Sequence, residues 1–380
     1  MNFNKFKQTL NYKNYSNFKK FIRYIEYVLK NFIISFFIKL NFSKKKNKPI
    51  LNLGSFKDNR FINYFIFSLH KDFNFSYDED NNAIQLFKRI GFYNFYKLTV
   101  PNKLIKNQNK FNISIDKNEK HSDIEIDLDY FKNIYDENLN KKSLIMPYYM
   151  YPRIYNYDYE KIKIKALPDF NLRLYFSGSI HNEAYGNFKW KKNPDKFPSR
   201  IEIINTVIKE FKNEIFFIRS RSDLNSIFSS NKKIVFCLHE KMIKKQSYIL
   251  NFEENFKLLS NTCFILNCPG VVMPLCHHLI EGMKVGAIPI TNCENLLSPK
   301  LTNENSLQFS NLNDLMEKIH HALVMSKEEI IFKRKNVFDY YSNNLSPGSF
   351  RLNFMNLIKN SDKKIVCCDD DRSVEKYENF

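Results

Sequence analysis

The second half of the chain alternates short apolar runs with amphipathic segments. The run "KIVFCLH" (233–239) is almost continuously apolar, which is typical of a strand buried on both faces of a parallel sheet, and "LRLYFSGSI" (172–180) reads as a strand that ends in a glycine turn. Between them, "SRIEIINTVIKEF" (199–211) spaces its apolar residues as a helix capped by Ser199 does. Further strands are predicted at 215–220, 263–270, 287–291 and 306–310, and further helices at 247–262, 276–286 and 311–323. This alternation predicts a parallel α/β domain over residues 165–340.

The first half begins in the same way. "KPILNLGSF" (48–56) reads as a buried strand that ends at Gly54, and residues 58–71 read as a helix, which is how a doubly wound domain opens. Residues 84–134 are mixed in pattern, except that 121–131 alternate as a half-buried strand does. Aromatic residues and two prolines at 146–157 indicate an ordered segment between domains. We therefore expect a Rossmann-like N-terminal domain at 48–160.

The two ends of the chain differ from this body. A closing helix is predicted at 341–359, and the polar, acidic residues 360–380 are expected to form a disordered tail. Apolar residues from Phe18 to Leu40 form one helical stripe, so residues 1–47 are predicted to be a basic amphipathic arm. Its longest apolar run is seven residues, whereas a membrane span needs about 20. Residues 18–48 could instead lie on an anionic membrane surface or pack on the protein itself.

Length and charge narrow the classes of protein. A chain of 380 residues is expected to form two domains. Residues 1–50 hold twelve Lys or Arg and one acid, so they carry +11 of the net charge of +19. The remaining body is only mildly basic and shows no nucleic-acid-binding motif, so no nucleic-acid partner is expected. Seven cysteines without regular spacing, and no secretory signal, predict reduced thiols and a cytoplasmic protein, peripheral to a membrane through its arm.

The stretch "CPGVVMPLCHHLIEGMKVGAIPIT" (268–291) holds three of the eight glycines. It follows a predicted strand, so its loop lies where ligands bind in open parallel sheets. The start of the next helix offers free N–H groups and a positive dipole to a phosphate, and Gly270 allows close approach of the backbone. Glu281, in the second helical turn, can reach a ribose. These features indicate a nucleotide-diphosphate site.

The same residues carry a resemblance to a known family. "LIEGMKVGAIPI" (279–290) resembles the donor-site motif of GT-B glycosyltransferases, and residues 264–290 as a whole are most similar to the exostosin-like group. "LYFSGS" (174–179) resembles the family's first strand and glycine loop of the second domain. Arg200 falls where the family often has an arginine, and 337–350 resemble its closing helix. The resemblance covers about 165–355.

The resemblance implies a fold, an activity and a set of residues. It implies an α/β protein with two Rossmann-like domains facing across a cleft, the first for the acceptor and the second for a nucleotide sugar. It implies transfer of that sugar, without metal or cofactor, to a glycan or lipid-linked acceptor in surface polysaccharide or lipopolysaccharide synthesis. The implied donor-binding residues are Gly178, Ser179, Arg200, Gly270, His277, His278 and Glu281. Adjacent helical histidines point about 100° apart, so only one of the two faces a ligand.

One acid of the family pattern is absent. Retaining GT-B enzymes commonly carry Glu-x7-Glu, and the position of the first glutamate is Met273 here. An inverting mechanism is therefore favoured, which needs a general base for the acceptor hydroxyl. By topology the best-placed candidate is Asp58, just after the Gly54 turn.

Two alternatives remain at this point. Asp127 and Asp129 have the Asp-x-Asp spacing that holds a metal in glycosyltransferases of the GT-A type. The basic arm also allows a non-enzymatic protein that binds membranes or nucleic acid. Tyr185 is a further candidate, for stacking on a nucleobase.

Overall fold

The computed structural model describes residues 48–53, 61–77, 99–101, 110–115, 122–136, 143–157, 159–185, 190, 197–239, 248–359 and 363–378. The predicted arm at 1–47 and the candidate base Asp58 lie outside these residues. Across the described part of the chain, two wholly parallel sheets are flanked by helices. The prediction of an α/β protein with two Rossmann-like domains is confirmed.

The second sheet contains the strands that the apolar runs predict. It has six strands in the order β12-β11-β10-β7-β9-β8. Its strands are β7 (Leu174–Ser179), β8 (Ile215–Phe217), β9 (Ile234–His239), β10 (Phe264–Leu266), β11 (Ile288–Thr291) and β12 (Leu307–Gln308). All its neighbouring strands pair in parallel. Strand β10 and the first three residues of β7 are apolar and buried, as is typical of strands that are covered on both faces.

The first sheet has seven strands in the order β3-β2-β1-β4-β5-β13-β6. They are β1 (Ile50–Asn52), β2 (Asn74–Tyr77), β3 (Thr99–Pro101), β4 (Lys110–Ile115), β5 (Ile124–Asp127), β6 (Leu144–Ile145) and β13 (Lys364–Val366). The predicted strands at 48–56 and 121–131 correspond to β1 and β5. Strands β3 and β4 lie in the region of mixed pattern and were not predicted individually.

The helices are named in chain order. They are α1 (Phe61–Leu69), α2 (Tyr130–Tyr135), α3 (Pro152–Tyr157), α4 (Asn182–Tyr185), α5 (Arg200–Glu210), α6 (Arg221–Ser226), α7 (Phe252–Asn261), α8 (His277–Lys284), α9 (Leu312–Val324), α10 (Lys327–Tyr340), α11 (Pro347–Leu357) and α12 (Asp370–Glu378). Short 3-10 turns occur at Tyr159–Lys161, Ile227–Ser229 and Glu294–Leu296, and a π-helical turn at Tyr341–Leu345 joins α10 to α11.

The chain returns from the second domain to the first through α11. Phe350 and Phe354 of α11 pack against Phe65 of α1 with ring centroids 6.0 and 5.7 Å apart. The hydroxyl of Tyr64 donates hydrogen bonds to the carbonyl oxygens of Leu345 and Ser346, at 3.1 and 3.0 Å. The closing helix therefore packs on the first domain, as the resemblance implies.

The expectation that residues 360–380 form a disordered tail was wrong. Residues 364–366 form β13, which pairs in parallel with β5 on one side and β6 on the other. Ile365 and Val366 are fully buried there, because the last strand of the chain fills a gap inside the first sheet. Helix α12 then follows, with Tyr377 against Phe131 of α2 at 5.5 Å between ring centroids.

The carboxyl ends of the two sheets face each other. Cys368, just after β13, places its Sγ 3.7 Å from Sδ of Met273 in the loop after β10. Tyr130, just after β5, donates a hydrogen bond to the carbonyl oxygen of Leu296, which follows β11. Residues at the carboxyl edges of both sheets are thus in contact. Among the described residues, no helix is both long enough and apolar enough to span a membrane.

Candidate functional site

The loop and helix that follow β10 form the centre of the candidate site. The loop turns tightly, because the Gly270 N–H donates to the carbonyl oxygen of Met273 at 2.9 Å. A Cβ at Gly270 would lie 3.1 Å from the oxygen of Leu275, so a larger residue would displace the loop backbone. Cys276 occupies the N-cap of α8 without a side-chain cap hydrogen bond. The first N–H groups of α8 are therefore not capped by that side chain.

The side chain of Arg200 forms hydrogen bonds both to this loop and to the end of β7. It begins α5 directly after Ser199, whose side chain forms a capping box with Glu202. Its Nε donates to the oxygen of Pro269 at 3.0 Å and its Nη1 to the oxygen of Ser179 at 3.1 Å. Its Nη2 lies 3.5 Å from Sγ of Cys276. The guanidinium thus contacts both the last residue of β7 and the residue that caps α8.

The charge of Arg200 is buried without a carboxylate partner among the described residues. The residue is 5% exposed, and its protein acceptors are two carbonyl oxygens and a thiol. None of the salt bridges formed within the described ranges includes it. A buried cation ordinarily pairs with an anion, since its desolvation is costly. This unbalanced charge next to the start of α8 is the main electrostatic feature of the site.

Gly178 and Ser179 lie beside this guanidinium, at the carboxyl end of β7. A Cβ at Gly178 would come within 2.9 Å of the Phe176 ring and 3.3 Å of Nη1 of Arg200. A side chain at position 178 would therefore displace the Phe176 ring and crowd the guanidinium. Tyr185 lies over the guanidinium, with Cζ of Arg200 4.0 Å from its ring centroid. Arg200 therefore covers one face of that ring, and the role of Tyr185 as a platform for a base stays a prediction.

The two histidines of α8 diverge, as their helical spacing predicts. Nδ1 of His277 lies 2.9 Å from the oxygen of Tyr149, and its ring stacks on that of Tyr148. His278 points inward between the rings of Tyr175 and Phe176, and its buried Nε2 has no partner among the described residues. Burial, and then the charge of Arg200, lower the pKa of His278 to about 3, so the imidazole is neutral at physiological pH.

Glu281 lies one turn further along α8 and is 8% exposed. Its Oε1 accepts a hydrogen bond from the N–H of Tyr151 at 3.2 Å. Burial raises the pKa of Glu281 to about 7, although this hydrogen bond acts in the opposite direction. The carboxyl group is therefore poised between its charged and neutral forms near pH 7.

Two further residues of the site were not predicted. The N–H of Tyr151 binds Glu281, a residue far away in the sequence. No local pattern distinguishes Tyr151 from the other aromatic residues of 146–157. His239 ends β9 directly beside Ser179, and burial followed by the charge of Arg200 lowers its pKa. Its place at the carboxyl end of a predicted strand is the signal that could have identified it.

Met273, where the retaining enzymes carry an acid, is a core residue in this chain. It is 1% exposed and contacts Cys368 of the first domain. Asp58 cannot be placed, because it lies outside the described residues.

The alternative metal site at Asp127 and Asp129 is occupied by protein cations. Lys364 forms an ion pair with Asp127 at 2.6 Å, and Lys376 forms one with Asp129 at 3.6 Å. Burial acts to raise the pKa of Asp127, but the hydrogen bond from Lys364 and the backbone outweigh it, so the pKa lies below its usual value. No cluster of three or more metal-ligating side chains occurs within the described part of the chain. These contacts favour a structural role for both aspartates.

Comparison with known proteins gives only distant likenesses. No family model and no curated protein matches the chain. The N-terminal domain of trehalose-6-phosphate phosphatase from Candida albicans is 8% identical, with a TM-score of 0.44 over 83% of this chain and 97% of that one. HepE from Anabaena, in complex with UDP and glucose, is 9% identical, with a TM-score of 0.37 over 82% of this chain and 100% of that one.

UDP-GlcNAc 2-epimerase from Neisseria meningitidis, bound to UDP-GlcNAc, is 10% identical, with a TM-score of 0.37 over 82% of this chain and 100% of that one. Because these scores lie under 0.5, the fold assignment rests on the strand order of the chain itself. The exostosin-like resemblance stays a prediction.

Proposed function

We propose that the chain is a glycosyltransferase that moves a sugar from a nucleotide-sugar donor to a glycan or lipid-linked acceptor. The observation that carries this proposal is the buried guanidinium of Arg200, which has no carboxylate partner among the described residues and contacts the N-cap of α8. The diphosphate of a nucleotide sugar supplies the anion that such a cation needs. The N–H groups and dipole of the α8 N-terminus favour the same negative charge.

The remaining donor residues are consistent with that assignment. Glu281 follows the N-cap Cys276 by five positions, about 7 Å along a helix, which suits a ribose hydroxyl next to the diphosphate. Oε1 of Glu281 accepts a hydrogen bond from the N–H of Tyr151. Its second carboxylate oxygen can accept a hydrogen bond from a ribose hydroxyl. His278 contributes a neutral, unpartnered Nε2 close to Arg200. Gly178, Ser179 and Gly270 keep the backbone close to the guanidinium.

The proposed reaction inverts the configuration at the anomeric carbon of the donor sugar. The acceptor oxygen attacks that carbon while its bond to the diphosphate breaks, and the leaving diphosphate gains negative charge that Arg200 and α8 stabilise. A general base takes the acceptor proton, and Asp58 remains our candidate for it. The buried Met273 supports inversion, because no acid stands where the retaining enzymes have one. The ion pairs that Asp127 and Asp129 form with lysines support a reaction without bound metal.

The cellular setting is proposed from the sequence. Residues 18–48 would hold the enzyme on the anionic inner face of a membrane, where acceptors for surface polysaccharide or lipopolysaccharide are built. The protein would then be cytoplasmic and peripheral, with no nucleic-acid partner.

A thermal-shift screen with UDP, GDP, CMP, ADP and their common sugars, each with and without EDTA, tests the proposal. A ligand at 100 times its Kd stabilises the folded state by about 2.7 kcal/mol, and EDTA should not reduce the shift. Arg200→Met should weaken binding at least tenfold, since it removes the cation (about 1.4 kcal/mol per tenfold). Each shift is referred to the same variant without ligand.

Arg221→Met is the matched control, because that arginine is exposed on α6. It should bind as the unmodified chain does. The proposal fails if no nucleotide stabilises the folded protein, or if Arg200→Met binds as tightly as the unmodified chain.

A further inference from the structure

Tyr151 is an exposed aromatic ring within a buried segment. The three residues before it are at most 2% exposed, whereas Tyr151 is 51% exposed. Pro152 and Ile154, which follow it, are again buried. The segment therefore packs most of its apolar side chains between the domains but directs this one ring outward. Aromatic rings contribute most when they are covered, so an ordered, uncovered ring is a ready contact surface for a ligand.

Helix α8 holds this ring in place. The N–H of Tyr151 donates to Oε1 of Glu281, and the ring lies 6.0 Å from that of His277 in an edge-on arrangement. His277 is itself bound to the oxygen of Tyr149. The ring is thus fixed beside the side of α8 that carries Glu281, without any need for a rearrangement on binding.

The order of groups along α8 matches the order of groups in a nucleoside diphosphate. Arg200 and Cys276 mark the phosphate end, and Glu281 follows about 7 Å along the helix. In the ligand, the ribose lies between the phosphates and the base. A ribose at Glu281 therefore brings the base within reach of Tyr151, whose N–H donates to the same carboxylate. Tyr185, the candidate that the sequence suggested for stacking on a base, packs one face of its ring on Arg200.

We propose that Tyr151 is the platform on which the nucleobase of the donor stacks. This inference rests on the proposed function and adds the residue that binds the base. Stacking uses the face of the ring and tolerates any base, so Tyr151 contributes affinity and does not choose the nucleotide.

The test compares a ligand that has a base with one that has none. Binding of UDP, GDP and ADP, and of inorganic pyrophosphate, is measured by calorimetry for the unmodified chain, Tyr151→Ala and Tyr151→Phe. Tyr151→Ala should weaken the nucleoside diphosphate about 5- to 150-fold, the equivalent of about 1–3 kcal/mol for one stacked base. Pyrophosphate binding should not change, and Tyr151→Phe should bind normally because it keeps the ring. Phe332→Ala, which removes another exposed ring, is the control.

Tyr151→Trp gives an independent readout. Its added indole should be quenched by the nucleoside diphosphate and not by pyrophosphate, while Trp190 of the unmodified chain supplies the background signal. Equal losses for both ligands in Tyr151→Ala, or no loss at all, would overturn the inference. If the unmodified chain binds no nucleoside diphosphate, the proposed function itself fails.

Discussion

At the scale of single residues, the site is defined by ionisable groups that are buried without a group of opposite charge beside them in the described part of the chain. Within the described residues, Arg200 has no carboxylate to balance its charge, and the carboxyl group of Glu281 accepts a hydrogen bond from a backbone N–H. Such groups reduce the stability of the empty protein, because their charged forms lose hydration on folding. Groups of this kind cluster at functional sites, where a ligand offsets the loss.

Glu281→Gln should remove one pH dependence of stability. The pKa of Glu281 rises from 4.5 to about 7 on folding, so its contribution is fully present below pH 4.5 and is lost as the pH rises through 7. The loss is on the order of 3 kcal/mol. Glutamine stays neutral and can still accept the Tyr151 N–H. Relative to the unmodified chain, the variant should therefore gain roughly that free energy of unfolding at pH 8 compared with pH 4.5.

Urea unfolding at the two pH values measures this difference. Glu317→Gln is the control, because Glu317 is exposed on α9. If the free energies of unfolding of Glu281→Gln and Glu317→Gln change equally between the two pH values, the pKa of Glu281 is not raised by folding.

At the scale of elements, the position of α8 depends on the absence of a side chain. A Cβ at Gly282 would lie 2.2 Å from Cδ1 of Ile265, so α8 packs directly on β10. Gly286, which ends the same helical segment at φ +78°, turns the chain toward β11 in a conformation that other residues rarely adopt. These two glycines bring the start of α8 to the carboxyl edge of the sheet.

Gly282→Ala should destabilise the protein by about 1–3 kcal/mol, because the added methyl group displaces Ile265 or the helix. Thermal or urea unfolding measures the change. Combining it with Ile265→Val, which removes Cδ1, should recover part of the loss. Gly348→Ala in α11 is the control, since its Cβ would meet nothing nearer than 3.8 Å. Equal effects of the two Gly→Ala variants would show that close packing does not position α8.

At the scale of the whole molecule, the chain crosses between domains twice after β1. It enters the second domain through residues 146–157 and returns through α11, before β13 completes the first sheet. Tyr64 binds the carbonyl oxygens at the start of that return. The first domain is therefore incomplete without the last residues of the chain.

Ile365→Ala should cost about 2–5 kcal/mol of stability, because Ile365 is fully buried in β13. Ile249→Ala, at a residue that is 66% exposed, should change stability by less than about 0.5 kcal/mol. The free energies of unfolding of both variants are compared with that of the unmodified chain. If Ile365→Ala leaves the free energy of unfolding unchanged, residues 364–366 are not a buried strand and the prediction of a disordered tail is correct.

The sequence predicted elements well where each element carries its own period. Strand β9 is an almost continuous apolar run, β7 starts with three apolar residues before its glycine turn, and α5 carries its own cap. Local sequence is enough to predict all three. Strand β13 has three residues and is followed closely by acidic ones, so nothing local distinguishes it from a tail. The same limit applied to the site. Gly270 and Glu281 belong to one motif, whereas the contact of Tyr151 with Glu281 joins residues 130 positions apart.

The sequence by itself determined the α/β class, the strands of the second domain, its helices α5, α7, α8 and α9, and a glycine-containing loop at the carboxyl end of β10. Hydrophobic periodicity and capping act over a few residues, and those patterns are written in the chain. The tertiary structure alone decided that β13 lies inside the first sheet, that Arg200 is buried against β7 and α8, and that the N–H of Tyr151 binds Glu281. These outcomes depend on which distant surfaces pack together, and no local pattern encodes that choice.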